Sequence, residues 1–184
     1  MSIHTPWGES QSVKHIADGI VSVSTASHGG YILSDERNRQ MPDCLRIDEG
    51  WYEEDCDWAL VAVAFPQFFE KKDVECATST LRNLLPDQYE KHTGKVLVSG
   101  ESREKDRRAW QEAHRNDYVV GAAWGDWHHA VPKEHVAVCA WLPGRRETEA
   151  YFIVPADEYE QRIGFGFVVD PSRHPRTEAI RVGG

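Results

Sequence analysis

Two runs of alternating apolar and small polar residues, Gly19-Ile20-Val21-Ser22-Val23-Ser24 and Tyr31-Ile32-Leu33-Ser34, are separated only by Thr25-Ala26-Ser27-His28-Gly29-Gly30. Such alternation is the pattern of a half-buried strand. Two parallel strands need a crossover of roughly a dozen residues or more, so a connection this short permits only antiparallel pairing. A β-hairpin is therefore predicted. Its connection is longer than a two-residue turn, which leaves room for Ser27 and His28 to project. Gly29 and Gly30 are expected to serve the corner, either by taking positive φ or by letting the backbone approach another group closely.

The remaining elements follow from periodicity. Residues 1–18 read as an N-terminal arm with a Thr5-Pro6-Trp7-Gly8 turn, in which Trp7 covers part of the core. Ser34 is placed to cap a short helical turn that ends before Pro42. From Tyr52 to Phe65 the spacing predicts a helix, with Trp58, Val61, Ala62 and Phe65 on one face. Glu53, Glu54 and Asp55 would then lie in its first turn, where the helix dipole favours negative charge. Pro66 should end it. A second helix is predicted over Asp73–Tyr89, with Val74, Ala77, Leu81, Leu84 and Leu85 buried and its last turn distorted by Pro86. The charged stretch Arg103–Arg115 reads as a largely solvated helix. Four strands follow, Tyr118–Trp124 (expected to be buried), Val136–Trp141, Glu149–Val154 and Phe165–Val169, with a short helix opening at Pro155. Short connections favour antiparallel pairing among them. The reading is a single α+β domain over residues 1–184, its antiparallel sheet packed against central helices, with an N-terminal β-hairpin. The sequence does not set whether that hairpin joins the C-terminal sheet. Residues 172–184, including Gly183-Gly184, are expected to form a loose polar tail.

Composition narrows the function classes. Thirty acidic against 21 basic residues give a formal charge of −9. That balance argues against nonspecific binding to a nucleic-acid backbone and suits docking on a basic surface. No apolar run is long enough for a membrane span, and the N-terminus lacks a signal core, so no membrane partner and a cytoplasmic location are expected. Cys44, Cys56, Cys76 and Cys139 form no CxxC pair; they are expected to be reduced thiols rather than a disulfide or zinc framework.

Candidate chemistry gathers at two places in the first third of the chain. One is the Ser27-His28-Gly29-Gly30 corner. The other is the acidic block Asp48-Glu49-Gly50-Trp51-Tyr52-Glu53-Glu54-Asp55-Cys56-Asp57. An imidazole titrates near neutral pH, so His28 is a candidate general base or metal ligand. Glycine-flanked amides of the HGG type can also donate to an oxyanion, but the G-x-S-x-G elbow that accompanies them in the hydrolase fold is missing. Glu53 and Asp57, four apart, would share one helix face and could orient His28 or join it at a divalent ion. The bland alternative for Asp57 is a salt bridge to Arg46. Cys56 lies between acids that disfavour its thiolate, which penalises a Cys56–His28 dyad. Asp126, Trp127 and His128 follow a strand and could complete a pocket. Adjacent His128 and His129 would point apart on a strand, so at most one would serve a given metal. The candidate catalytic set is thus His28, Glu53, Asp57 and Asp126. The candidate binding set is Ser27, Gly29, Gly30, Trp51, Glu54, Asp55, Trp127 and His128. The residues specify neither a metal nor a cofactor.

Thr5-Pro6-Trp7-Gly8, Thr25-Ala26-Ser27-His28-Gly29-Gly30, Gly50-Trp51-Tyr52-Glu53-Glu54-Asp55-Cys56-Asp57-Trp58, Trp124-Gly125-Asp126-Trp127-His128 and Phe152-Ile153-Val154-Pro155-Ala156-Asp157-Glu158-Tyr159 together resemble an uncharacterised bacterial domain family found in plasmid, phage and integrative-element cargo. The resemblance implies a mobile-element context, where proteins that counter host defence are common, and carries no assigned activity. Two functional expectations result. The first is an acidic, soluble interaction domain that binds a host protein or complex through the acidic block and exposed tryptophans. The alternative is a small hydrolase or transferase, metal-dependent or acid/base, built on His28 and the Glu53 and Asp57 carboxylates.

Overall fold

A computed structural model describes residues 2–178 and Ile180. The chain is α+β and divides into two compact units, Met1–Asp106 and Arg107–Gly184.

In the first unit, β1 (His4–Thr5) and β2 (Gly8–Glu9) form a small hairpin. Next come β3 (Ser12–Ala17), β4 (Ile20–Ser24), β5 (Gly29–Leu33), helix α1 (Asp35–Arg39) and β6 (Trp51–Glu53). These four strands make one antiparallel sheet in the order β3-β4-β5-β6. The expected β4–β5 hairpin is present, with Ile20 opposite Leu33 and Ser24 opposite Gly29. It belongs to this sheet and not to the C-terminal one. A third of the supposed N-terminal arm, Ser12–Ala17, is strand β3, which pairs with β4 with a register shift between His15 and Ala17. Ser34 caps α1 as expected, accepting the Arg37 N–H at 3.2 Å.

The acidic block departs from its predicted helix. Trp51, Tyr52 and Glu53 are the edge strand β6, a turn occupies residues 54–57, and helix α2 runs only over Trp58–Ala64. Glu53 and Asp57 therefore share no helix face, and Glu53, Glu54 and Asp55 lie outside any helix. Tyr52 explains the difference. Its ring is wholly buried among Ile20, Leu33, Leu60, Val61, Phe65 and Leu81. Its hydroxyl donates to Asn38 Oδ1 at 2.7 Å and accepts the Ile47 N–H at 3.0 Å. Asn38 Nδ2 in turn donates to the Ile47 carbonyl at 2.8 Å. A strand delivers that ring and hydroxyl together, and places Trp51 and Glu53 on the opposite face.

The second predicted helix is two: α3 (Lys71–Leu84) and α4 (Pro86–Thr93), parted at Leu85. Pro86 cannot donate to the preceding turn and so opens a new helix instead of ending the old one. Ala77 and Leu81 are buried as expected, whereas Leu84 is exposed. Helices α2 and α3 cover the face of the sheet that carries Ile20, Leu33 and Tyr52.

Helix α5 (Arg103–Ala113) crosses the unit boundary and buries none of its residues, as its charge pattern predicts. The second unit contains β7 (Tyr118–Trp124), β8 (His135–Leu142), β9 (Arg145–Pro155), helix α6 (Ala156–Glu160) and β10 (Val168–Val169). They form an antiparallel sheet in the order β10-β7-β8-β9. Strand β7 is less buried than its composition suggests, since Gly121, Ala122 and Ala123 are exposed. The expected loose tail is pinned through Thr177: Ile153 N–H donates to the Pro175 carbonyl, Thr177 N–H to the Tyr151 carbonyl, and His174 is buried. Gly183 and Gly184 lie outside the described residues.

Replacing Tyr52 by phenylalanine leaves Asn38 Oδ1 and the Ile47 N–H without their partner. An unsatisfied buried group costs about 1–3 kcal/mol, so the unfolding free energy from urea denaturation should fall by that amount, read as a lower midpoint with the denaturant slope unchanged.

Candidate functional site

Strand alternation sorts the site residues onto two faces. On the helix side lie Ile20, Ser22 and Ser24 of β4, Leu33, Tyr31 and Gly29 of β5, and Tyr52 of β6, all matched by register. On the outer side lie Val23, Gly30, Trp51 and Glu53. Trp7 from the N-terminal hairpin covers this outer face, standing edge-on to Trp51 with ring centroids 6.0 Å apart. A Cβ on Gly30 would fall 2.2 Å from the Tyr52 carbonyl oxygen and 2.7 Å from the Trp7 ring. Only a glycine lets the two strands and the indole close so tightly. Gly29 and Gly30 are thus strand residues of β5 rather than turn residues.

Thr25 builds the corner itself. Its buried side chain accepts the His28 N–H at 3.1 Å and the Ser27 N–H at 3.5 Å, and donates to the His28 carbonyl at 3.0 Å. The His28 amide is consumed within the turn, and Gly29 and Gly30 sit in the strand ladder. The HGG sequence therefore presents no oxyanion hole. Ser27 and His28 remain exposed at the tip.

The fold brings the corner and the acidic block together. His28 Nδ1 lies 3.2 Å from Glu53 Oε1, with the imidazole about half exposed (48%) and the carboxylate a third (32%). The Glu54 N–H donates to the Gly29 carbonyl at 3.0 Å, continuing the β5–β6 contact by one residue. Glu54 consequently turns to the helix side, where its carboxylate rests over the bare Cα of Gly29. There it joins Ser22, Ser24, Tyr31 and Trp58 around a surface cavity of about 280 Å³. Burial, and then the charge of Asp73, push the Tyr31 phenol up.

Asp57 stands just before α2 and makes no capping hydrogen bond. Its partner is the Cys56 thiol, which donates at 3.6 Å. The expected Asp57–Arg46 bridge is absent: Arg46 pairs with Asp43. Burial first, and then Asp57, Asp55 and Glu53, push the Cys56 thiol up, so a Cys56 nucleophile is disfavoured. All four cysteines are free. No cluster of three or more metal-ligating side chains occurs among the described residues.

The remaining candidates belong to the second unit. Asp126 lies 3.7 Å from Lys133 Nζ and accepts the Glu134 N–H. Trp127 is 76% exposed and stands edge-on to His128. His128 and His129 do not diverge as strand neighbours would. They sit in a loop with their rings stacked at 4.6 Å, and His128 Nδ1 accepts the Ala130 N–H at 3.3 Å.

The sequence profile of the domain of unknown function DUF7007 matches residues 1–115. The chain belongs to the DUF7007 family. No curated protein and no solved structure matches it significantly. The DUF7007 match covers the whole first unit and α5. It contains His28, Glu53, Glu54 and Asp57, whereas Asp126, Trp127 and His128 lie beyond it.

Sequence reasoning missed four residues of the DUF7007 site. Thr25 has the local signature of a Ser/Thr turn, a hydroxyl two and three residues before the amides it accepts. Ser22 and Ser24 carry a period-2 signal, two hydroxyls on one strand face. Trp58 carried none, because its position over β4 and β5 depends on where α2 packs.

Two measurements test the relative weight of packing and charge here. An added methyl at Gly30 meets backbone that cannot yield easily, so Gly30→Ala should cost about 1–3 kcal/mol. The His28–Glu53 pair is too exposed to matter as much, and Glu53→Gln should change stability by less than about 1 kcal/mol. Separately, Asp57→Asn removes a charge that raises the Cys56 pKa. Cys56 should then alkylate several-fold faster at pH 7.5, read by mass spectrometry of the labelled peptide.

Proposed function

We propose that this chain is a protein-interaction module whose DUF7007 unit docks a basic surface of a host protein or complex. The observation that supports it is an uncompensated set of carboxylates. Asp48 and Glu49 precede the edge strand β6, and Glu54 and Asp55 follow it. All four are exposed and form no ion pair among the described residues. Among the described residues, Glu53 pairs only with His28. Charges left unpaired on a surface do little for folding, yet they steer an oppositely charged partner and fix its register. The corner also supplies shape, since the rigid Thr25 turn and the Trp7–Trp51 packing hold the acids on a stiff edge. The resemblance to mobile-element cargo supports reading this module as an accessory or anti-defence factor.

A second reading rests on the His28–Glu53 contact. A carboxylate 3.2 Å from Nδ1 is the arrangement that orients an imidazole as a general base. In that reading the protein is a small hydrolase or transferase, with Glu53 rather than Asp57 as the partner.

Immobilised protein should retain a partner from bacterial lysate at about 0.1 M salt and release it as salt rises, since exposed charges are screened within roughly 10 Å. The triple reversal Asp48→Lys, Glu49→Lys, Asp55→Lys should abolish retention, while His28→Ala should leave it intact. Retention that ignores the reversal would count against the acidic edge. Turnover of a substrate that disappears in folded His28→Ala would favour the catalytic reading.

A further inference from the structure

We propose that the cavity beside Glu54 is a guanidinium site, built to take an arginine side chain of the partner protein; this step rests on the interaction reading above. The cavity of about 280 Å³ opens on the helix side of the sheet, between β4, β5 and the start of α2. That volume sits at the lower limit for small-molecule pockets and suits one side chain rather than an extended ligand. Its chemistry is one-sided. Ser22, Ser24 and Tyr31 carry hydroxyls and Glu54 a carboxylate, Val23, Gly30 and Trp58 complete the lining, and among the described residues no lysine, arginine or histidine lines it.

Glu54 is held at the rim by the fold rather than by a cation. Its N–H is fixed to the Gly29 carbonyl, and its carboxylate occupies the space a Cβ at Gly29 would fill. It forms no ion pair among the described residues. An anion would meet this carboxylate with no compensating charge, whereas a cation would gain it. Among cations, guanidinium suits the site better than ammonium. It carries five donors in a planar fork, which a carboxylate and flanking hydroxyls can accept together. Its flat face can lie on an indole, and Trp58 forms one wall. Ser24 Oγ is held in place by a 2.8 Å hydrogen bond with Ser12 Oγ on the neighbouring strand, in which either hydroxyl can be the donor.

The experiment uses the full chain labelled with ¹⁵N and a blocked Gly-Arg-Gly peptide. The peptide should produce saturable shifts at the Gly29, Gly30 and Trp58 resonances. The citrulline counterpart, equal in shape but uncharged, should bind at least tenfold more weakly. Glu54→Gln should weaken the arginine peptide by a similar factor, its spectrum elsewhere unchanged. Equal binding of the two peptides, no shifts, or shifts centred away from this cavity would overturn the proposal. The citrulline comparison needs no variant, so it decides the matter even if Glu54→Gln is unstable. If the arginine peptide fails while lysate capture still depends on Asp48, Glu49 and Asp55, the guanidinium site falls and the interaction reading stands. If the peptide binds and no partner is retained, the interaction reading falls, and the cavity is a guanidinium site without the assigned protein source.

Discussion

The buried hydroxyl of Tyr52 holds the register on which both faces of the site depend. It is shared between Asn38 at the end of α1 and the Ile47 amide in the following loop, so helix, loop and edge strand are tied at one point. Burial raises the phenol above its usual range, the Ile47 amide opposing that shift, and the group stays a neutral donor at physiological pH. With Tyr52 inward, Trp51 and Glu53 must face outward, and Glu54 must return to the helix side. A slip by one residue would reverse every one of these assignments. It would carry Glu53 away from His28 and bring the Trp51 ring into a space shaped for tyrosine. The charge chemistry at the surface is thus set by a hydrogen bond in the core.

Packing at Gly30 supplies the other half of the constraint. The Tyr52 carbonyl and the Trp7 indole both approach its Cα more closely than any side chain allows. The outer face is therefore sealed by Trp7 and Trp51, and polar groups accumulate where that seal ends, at the Thr25–His28 corner. An acidic edge at this position also has a structural use. β6 is the unpaired margin of its sheet, and charges flanking a short edge strand discourage edge-to-edge association. In the interaction reading, recognition would draw on the same carboxylates that guard the edge, and the salt dependence of partner binding would separate the two roles.

The elements with strong period or strong punctuation were legible in the sequence. The β4–β5 hairpin, the Ser34 cap, the Ala77–Leu81 stripe of α3 and the three long C-terminal strands follow from alternation, capping and spacing. The meeting of His28 with the acidic block was also within reach, because a hairpin and a nearby acidic segment leave few ways to fold back. β6 was hidden for a definite reason. Three residues are too few to display period 2, and the helical spacing of Trp58, Val61, Ala62 and Phe65 extends naturally backward over them. Strand β3 was hidden because Ser12, Lys14 and His15 are exposed, as suits an edge, so its alternation is faint. At Leu85 the spacing predicts one helix with a distorted last turn, whereas the structure has a break between two. Pro86 satisfies either, and the outcome depends on how α4 packs against α3.

The two faces of the site differ in what they can discriminate. On the outer face, the Glu53 carboxylate has a basic side chain as its neighbour, the His28 imidazole 3.2 Å away. On the helix side, Glu54 has hydroxyls and an indole for neighbours and no titrating base. In the interaction reading, a basic partner approaching the edge would therefore meet a carboxylate shared with an imidazole on one face and an unshared carboxylate on the other. The separation follows from strand alternation alone: residues 53 and 54 are adjacent in the chain and project to opposite sides of the sheet.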